Sequence, residues 1–335
     1  MKLQRREQSH YSANPASPLF VQRTMRIVIA GGTGFLGTQL AETCAEDGHD
    51  VRVLTRALLP GDSRHDPGTG VPGVTRVGWR PDGRGGPWTA VIHNADAVVN
   101  LAGAGLGDQR WSAERKALIR DSRLRSTRSL VTAIAEAPLR PPVFISASGV
   151  GYYGASGSDT KTEASPAGSD FLAQLCTEWE TEALGAESAA TRVVLLRSGI
   201  VLERSGGVLP RMMTPFRFFA GGPMGSGRQY VSWIHRIDWV EMIRWVVDSP
   251  QVKGPVNAAS PVPVTNREFA KALGRAMHRP AFIPAPAFAL RLALGEMADS
   301  LVLTGQRVVP QCALSRGFHF RYPEIDLAFR GIFGE

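Results

Sequence analysis

Three observations predict an α/β fold, built on a doubly wound parallel sheet with a smaller C-terminal lobe. Short β-branched runs alternate with longer helical patterns as far as about residue 200. A glycine-rich turn joins the first run to the first helical pattern. Beyond residue 200 the alternation decays, and prolines interrupt a less regular region. Strand–helix alternation of this kind builds right-handed crossovers, which predicts a Rossmann-type sheet.

The predicted strands are short apolar runs, as expected for parallel strands that are buried on both faces. They cover 26–30, 51–54, 74–78, 97–101, 143–146 and 193–196. The predicted helices cover 35–47, 111–136 and 170–187, and Pro138 closes the second. Gly- and Pro-rich segments at 60–73 and 81–87 are expected to be loops.

The chain divides into three predicted parts. Residues 1–24 are polar and without periodicity, so we expect a disordered extension. The sheet domain is predicted over 25–200. A substrate lobe is predicted over 201–335, with some of its segments returning to the sheet.

Composition excludes several classes of protein. With 335 residues, 43% hydrophobic and 20% charged, the chain has enough apolar material for a globular core and is not a disordered, collagen-like or disulfide-stapled protein. Cys44, Cys176 and Cys312 are far apart and lack a neighbouring histidine, which argues against a metal site and favours a reducing compartment. No window reaches the ~18 apolar residues of a membrane span, and no secretory apolar stretch is present. We therefore expect a cytoplasmic protein without a membrane anchor.

The net charge of +8 raises the question of nucleic-acid binding. Residues 1–24 carry +3 of that charge, and only five of the 38 basic residues are lysine. This distribution does not form a phosphate-binding stripe, so nucleic acid is an unlikely partner. The aromatic run at 215–219 is either a membrane-touching patch or a core helix with one snorkelling arginine, and the sequence favours the core helix.

A glycine motif follows the first predicted strand and opens the first predicted helix. Gly31, Gly34 and Gly37 provide a tight turn, close backbone approach to a pyrophosphate and a helix N-terminus that faces the anion. The alternative is a glycine-rich turn without a ligand. The motif predicts dinucleotide contacts from Gly31, Thr33, Gly34, Phe35, Leu36 and Gly37.

The second strand selects the cofactor. It ends in Thr55 and Arg56, where NAD-preferring sites usually place an acid for the ribose hydroxyls. Because an arginine can pair with a 2′-phosphate, NADP(H) is favoured, against the alternative of a solvated arginine. The fourth strand ends in NLAG, where small residues let the adenosine half lie against the backbone, so Leu101, Ala102 and Gly103 are predicted contacts.

Several segments together resemble a known family. They are RWSAERKALIRDSR (110–123), SGVGYYG (148–154), DFLAQLCTEWE (170–180), RSGIVL (197–202), GGPMGSGRQYVSWIHRID (221–238), PVTNREFAKALG (263–274) and HRPAFIPAP (278–286). They look like the atypical "epimerase family" branch of the extended short-chain dehydrogenases/reductases, which carries a characteristic C-terminal region. The resemblance implies cofactor contacts at Thr55, Arg56, Leu101, Ala102, Arg123 and Val201, a small-molecule substrate and, by analogy, a homodimer.

The superfamily's usual proton relay is missing. That relay is a tyrosine with a lysine four residues later on the same helix face, assisted by a serine. The helix that should carry the pair reads Phe171 to Leu175, and both groups are replaced by apolar side chains. Ser148 is the candidate for the assisting serine, although a one-residue slip would place Gly149 there. Tyr152 is a candidate for proton transfer, with a packing role as the alternative.

Two clusters could bind a substrate. Arg228, Gln229, Trp233 and His235 form a polar and aromatic mixture suited to a partly apolar substrate, unless Trp233 is core and His235 begins a helix. Arg110, Trp111 and Lys116 form a second cluster, in which Lys116 is better interpreted as part of a solvated helix face.

Two functions from different classes stay open. The first is an NADP(H)-dependent oxidoreductase or epimerase that acts on a small molecule with an unusual proton donor. The second is a non-catalytic NADP-binding regulator or assembly factor. A complete cofactor site fits both, whereas a polar cavity beside the nicotinamide would favour the enzyme and an exposed apolar patch the regulator.

Overall fold

The computed structural model describes residues 23–58 and 71–334. Nearly all of the predicted extension at 1–24, and most of the predicted loop at 60–73, lie outside the described residues.

Seven parallel strands form the central sheet, in the order β3-β2-β1-β4-β5-β7-β11. Their bounds are β1 Arg26–Ala30, β2 Asp50–Thr55, β3 Val74–Gly78, β4 Ala97–Asn100, β5 Val143–Gly149, β7 Arg192–Ser198 and β11 Gly254–Ala258. This arrangement confirms the predicted doubly wound α/β fold. The strand order reverses between β1 and β4, so the ligand crevice of such a sheet lies at the carboxyl ends of these two strands.

Helices cover both faces of the sheet. They are α1 Phe35–Glu46, α2 Ala113–Glu136, α3 Phe171–Leu184 and α5 Arg236–Asp248. Side chains of α1 and α5, including Leu40 and Met242, pack on one face, and side chains of α2 and α3, including Leu130 and Ala183, pack on the other. Polar caps set the starts of α2 and α3, because Ser112 accepts a hydrogen bond from the Arg115 amide at 3.2 Å and Asp170 accepts one from the Ala173 amide at 2.9 Å.

The seventh strand, β11, is absent from the predicted set of strands. Its sequence, GPVNA, contains Gly254, Pro255 and Asn257, residue types that are depleted in strands. A proline cannot donate to a strand ladder, which is why it is found on edge strands. β11 occupies one edge of the sheet and pairs only with β7 among the strands of this sheet, so Pro255 is accommodated there.

The C-terminal lobe is built from short strand pairs and helices around its own core. The strand pairs are β8 Ile200–Leu202 with β10 Trp233–His235, β9 Tyr230–Val231 with β12 Val264–Thr265, and β13 Arg307–Val308 with β6 Thr160–Lys161. The helices are α4 Leu209–Arg217, α6 Asn266–Ala276, α7 Ala287–Leu294, α8 Glu296–Ala298, α9 Gln311–Ser315 and α10 Ile325–Phe333. Trp233, Phe269 and Phe329 are the largest buried side chains of this core. The lobe therefore has a packed core of its own beside the sheet domain.

The expectation of a core helix over 215–219 is wrong for its last two aromatic residues. Phe216 is buried, and α4 ends at Arg217. Phe218 and Phe219 follow the helix and are 78% and 57% exposed. Within the described residues, no helix is long and apolar enough to cross a membrane.

Candidate functional site

The turn after β1 has the backbone geometry of a pyrophosphate cradle. Gly31 has a φ of +80°, and a Cβ placed there would lie 2.7 Å from the carbonyl carbon of Leu101. A Cβ at Gly37 would lie 2.3 Å from the Gly31 oxygen. Gly34 caps α1 without a side-chain hydrogen bond, and the first turn of α1 carries no acidic residue. The turn therefore requires glycine and leaves a helix N-terminus available to an anion, which fits a dinucleotide.

The ends of β2 and β4 lie beside this turn. Thr55 is buried, and its hydroxyl accepts a hydrogen bond from the Ala57 amide at 3.2 Å, while Arg56 is exposed. Asn100 is fully buried and fixes the turn after β4, since its Oδ1 accepts from the Ala102 amide at 3.2 Å and its Nδ2 donates to Thr127 at 2.8 Å. The predicted contacts at both strand ends thus lie at the carboxyl edge of the sheet, next to the glycine turn.

Arg123 of α2 reaches the same edge. Its guanidinium donates to the carbonyl oxygens of Ala104 at 2.9 Å and Ile119 at 3.1 Å and lies 5.1 Å from the Trp179 ring. Burial lowers the pKa of Arg123 to about 10. Among the described residues no carboxylate forms an ion pair with it, so it is a half-buried cation suited to an anionic ligand. Val201 lies in β8, is 8% exposed, and belongs to the apolar cluster on the α1 face of the sheet.

A buried polar network lies beneath the candidate catalytic residues. The Ser148 hydroxyl donates to Glu180 at 2.6 Å. Arg197 holds the same carboxylate through two hydrogen bonds of 2.8 Å, and the two side chains are 4% and 7% exposed. The hydroxyl proton of Ser148 is therefore engaged with a carboxylate. Burial raises the pKa of the neighbouring Cys176 to about 11, so this thiol is neutral at physiological pH.

The two adjacent tyrosines have different surroundings. Tyr153 is buried, donates to Asn257 at 2.6 Å and accepts from Arg197 at 3.1 Å. Burial raises its pKa to about 12, so it is a neutral structural group. Tyr152 is half-buried with the Arg197 guanidinium 3.4 Å from its ring centre, and its hydroxyl forms no hydrogen bond within the described residues. Of the two, Tyr152 has the hydroxyl that is available to a ligand.

The predicted substrate cluster is spread between surface and core. Arg228 is exposed, whereas Gln229 donates to the carbonyl oxygens of Met224 and Val302 at 3.0 and 2.9 Å. Trp233 is fully buried. His235 caps α5 by accepting from the Ile237 amide at 3.1 Å, and it stacks on Tyr322. These positions match the structural alternative for Trp233 and His235.

The comparisons with known proteins agree with this geometry. Residues 27–259 match the model of the NAD dependent epimerase/dehydratase family, and residues 285–332 match a domain of unknown function, DUF1731. The chain belongs to the NAD dependent epimerase/dehydratase family. It is 41% identical over 310 residues to an epimerase family protein SDR39U1 homologue of Arabidopsis thaliana, described as chloroplastic, covering 92% of this chain and 86% of that one. An epimerase family protein of Mycobacterium leprae is 41% identical over 303 residues, with 90% of this chain and 94% of the relative covered.

A solved structure extends the comparison to three dimensions. The crystal structure of human epimerase family protein SDR39U1 with NADPH has a TM-score of 0.82 and 35% identity, and the match covers 92% of this chain and 99% of the human chain. The predicted resemblance to the epimerase family branch of extended short-chain reductases is thereby confirmed.

This member of the epimerase family has an apolar cluster at the predicted position of the proton relay. Phe171 begins α3, and Leu175 is 3% exposed. Both belong to a cluster with Ile119, Leu172, Leu106, Trp111 and Leu301. Reading the pair one residue later gives Leu172 and Cys176, and the Cys176 thiol donates to the Gly149 carbonyl at 3.7 Å. In either register the helix lacks a tyrosine–lysine pair.

Sequence reasoning missed Glu180 and Arg197 as part of the site. Part of the signal was present, because Glu180 falls on the apolar face of the α3 pattern and Arg197 follows the apolar run of β7. Charged residues are almost never fully buried unless they are paired, so each position implies a buried partner, which the sequence alone does not name.

Proposed function

We propose that the chain is an NADP(H)-dependent oxidoreductase or epimerase that acts on a small molecule. The observation that carries the proposal is the cofactor edge of the sheet, where a glycine turn and two cations, Arg56 and Arg123, lie at the carboxyl ends of the strands. Arg56 follows β2 where an NAD site would have an acid, and Arg123 has no acidic partner among the described residues. The NADPH in the similar human structure supports the same cofactor.

The residues proposed to hold the cofactor form three groups. The glycine turn would bind the pyrophosphate, Arg56 the 2′-phosphate, and the turn after β4 the adenosine half. With Arg123 and Val201, which lie outside these groups, the proposed cofactor contacts are Gly31, Thr33, Gly34, Phe35, Leu36, Gly37, Thr55, Arg56, Leu101, Ala102, Gly103, Arg123 and Val201. NADP(H), when bound, supplies the hydride, and the chain orients the substrate and handles the proton.

Tyr152 is the proposed proton-handling residue. Its hydroxyl is uncommitted within the described residues, and a guanidinium stacks on its ring at 3.4 Å. Ser148 is proposed to assist by accepting a hydrogen bond, because its own proton is donated to Glu180. Arg228 and Gln229 remain proposed substrate contacts in the C-terminal lobe.

The cofactor assignment is tested by titrating NADPH and NADH into three proteins. Arg56→Ala is expected to weaken NADPH by about 1.5–3 kcal/mol, the contribution of a charged hydrogen bond, and to leave NADH unchanged. Arg84→Ala, which removes another exposed arginine of the same domain, is the matched control and should bind both cofactors normally. Equal weakening of NADPH and NADH by Arg56→Ala would refute the phosphate contact.

The reaction is tested by screening small carbonyl compounds and sugars with the NADPH-loaded protein. For any compound turned over, Tyr152→Phe should lower kcat by about 100-fold or more, the usual contribution of a general acid. Tyr153→Phe should instead lower the stability. Unchanged kcat in Tyr152→Phe would remove Tyr152 from the mechanism.

A regulator that binds NADP without catalysis is the second candidate. Two observations favour it: the apolar cluster around Phe171 and Leu175, and exposed aromatic side chains on the C-terminal lobe, Phe218 at 78% and Phe282 at 74%. Turnover in the screen would decide for the enzyme, and tight NADPH binding with no turnover would favour the regulator. We propose a homodimer in the cytoplasm for either function, which light scattering and cell fractionation would test.

A further inference from the structure

We propose that Lys116 binds an acidic group of the substrate, a carboxylate or a phosphate, in exchange for Glu296 of the C-terminal lobe. The inference rests on the proposed function and names the chemical class of its substrate. It starts from the position of Lys116 on α2. Lys116 and Arg123 are separated by two turns on one face of the helix, about 10 Å along its axis. Arg123 lies at the proposed cofactor site, so Lys116 lies on the same face of α2 as that site, toward the N-terminal end of the helix.

Lys116 lies beside aromatic side chains that could line a substrate site. Its Nζ lies 5.2 Å from the centre of the Phe171 ring, the residue at the predicted position of the family's tyrosine. Trp111 packs edge-on against the same ring, with 5.1 Å between the ring centres. The Trp111 indole N–H is already bonded to the Leu106 carbonyl at 2.9 Å, so the two rings form an apolar surface. Lys116 places a positive charge on the edge of that surface.

The partner of Lys116 belongs to a C-terminal segment that contacts the N-terminal end of α2. Glu296 Oε1 lies 2.6 Å from Nζ and begins α8, directly after Gly295. Arg110 joins the same two regions, donating to the Leu292 carbonyl at 3.1 Å. The Lys116 and Glu296 side chains are 29% and 47% exposed, and ion pairs of this exposure contribute little to stability. A ligand carboxylate or phosphate can therefore replace Glu296 at small cost.

The positive charge of Lys116 and the adjacent rings of Trp111 and Phe171 favour an acid with an apolar or ring-shaped body. An ammonium group offers three donors and no acceptor, so its natural ligands are oxyanions. Trp111 and Phe171 belong to a cluster of apolar side chains, which suits an apolar body. The assignment thus departs from the solvated helix face that the sequence favours for Lys116.

The test measures binding of small acids to the full chain, with and without saturating NADPH, by calorimetry or ligand-observed NMR. The probes are benzoate, phenyl phosphate and the neutral benzamide. Wild type should bind at least one of the two acids and should not bind benzamide. The acid that binds more tightly shows whether the substrate's acidic group is a carboxylate or a phosphate. Lys116→Met should weaken that acid by ~10-fold or more. Glu296→Gln should tighten it by a few fold, because the internal competitor is gone, and a merely structural ion pair would not produce this gain.

Lys271→Met is the matched control, because Lys271 lies in a separate basic groove of the lobe with Arg275 and Arg279. It should bind the acid as wild type does. The proposal is overturned if neither wild type nor Glu296→Gln binds an acid, if Lys116→Met binds normally, or if Lys271→Met loses the acid instead. NADPH affinity and Tm are measured on every variant. Unchanged NADPH affinity in Lys116→Met would show that Lys116 acts on the acid and not on the cofactor. A wild type that does not bind NADPH would count against the proposed function alone.

Discussion

Replacing Glu180 with leucine would leave a guanidinium buried without its counter-ion. In the folded protein the Arg197 and Glu180 side chains are 4% and 7% exposed and share two hydrogen bonds of 2.8 Å. Removing one partner of a buried ion pair costs about 3–5 kcal/mol, because the remaining charge is desolvated without compensation. A native domain has only about 5–15 kcal/mol in total, so Glu180→Leu should lose a large part of its stability.

The double variant Glu180→Leu/Arg197→Met tests the physical reason for this loss. It removes both charges and fills the space with apolar side chains of similar size, which is often neutral or favourable for a buried pair. We expect the double variant to be more stable than Glu180→Leu alone. Urea unfolding followed by tryptophan fluorescence gives both free energies, and NADPH binding before unfolding shows that each variant is folded. A double variant that is no more stable than Glu180→Leu alone would refute the reasoning.

Two further predictions concern the glycine turn and a buried histidine. Gly31→Ala should abolish NADPH binding, because its Cβ would lie 2.7 Å from the Leu101 carbonyl carbon. Gly48 has a similar φ of +83° but open space around it, so Gly48→Ala should retain NADPH binding and lose only stability. NADPH titration and thermal unfolding of both variants check this difference. Burial lowers the pKa of His235 to about 4, while its ordinary value is near 6.5. Between these two values the unfolded chain binds a proton at His235 and the folded protein does not. The free energy of unfolding should therefore fall by up to about 3 kcal/mol as the pH drops from about 6.5 to 4. His235→Asn, which keeps an acceptor at the α5 cap, should flatten this pH profile of unfolding free energy relative to the wild type.

The parts of the fold that could be predicted from sequence are those fixed by local pattern. β1 and the start of α1 follow directly from a buried apolar run, a glycine turn and a helical period. The edge strand β11 could not be predicted, because Pro255 suppresses the local strand pattern and only pairing with β7 makes its conformation favourable. Local signals thus predict elements, while the edges of the sheet depend on tertiary contacts.

The buried network shows the same limit within the site. Ser148, Glu180 and Arg197 come from β5, α3 and β7. Ser148 precedes Glu180 by 32 positions, and Glu180 precedes Arg197 by 17. They meet because β5 and β7 are adjacent strands and α3 packs on them. The sequence identified Ser148 as a candidate but not its carboxylate partner, since that contact depends on the packing of the helix on the sheet.

The absence of the tyrosine–lysine pair is built into the packing of this chain. Leu175 is 3% exposed within a cluster that includes Leu301 of the C-terminal region. A lysine at this position would be buried among apolar side chains without a counter-ion, at a cost of several kcal/mol or with loss of its charge. The same apolar side chains contact Leu301, so this cluster also joins the C-terminal region to α3. In our proposal, proton transfer and substrate binding fall to Tyr152, which contacts Arg197, and to Lys116, which contacts the Phe171 ring.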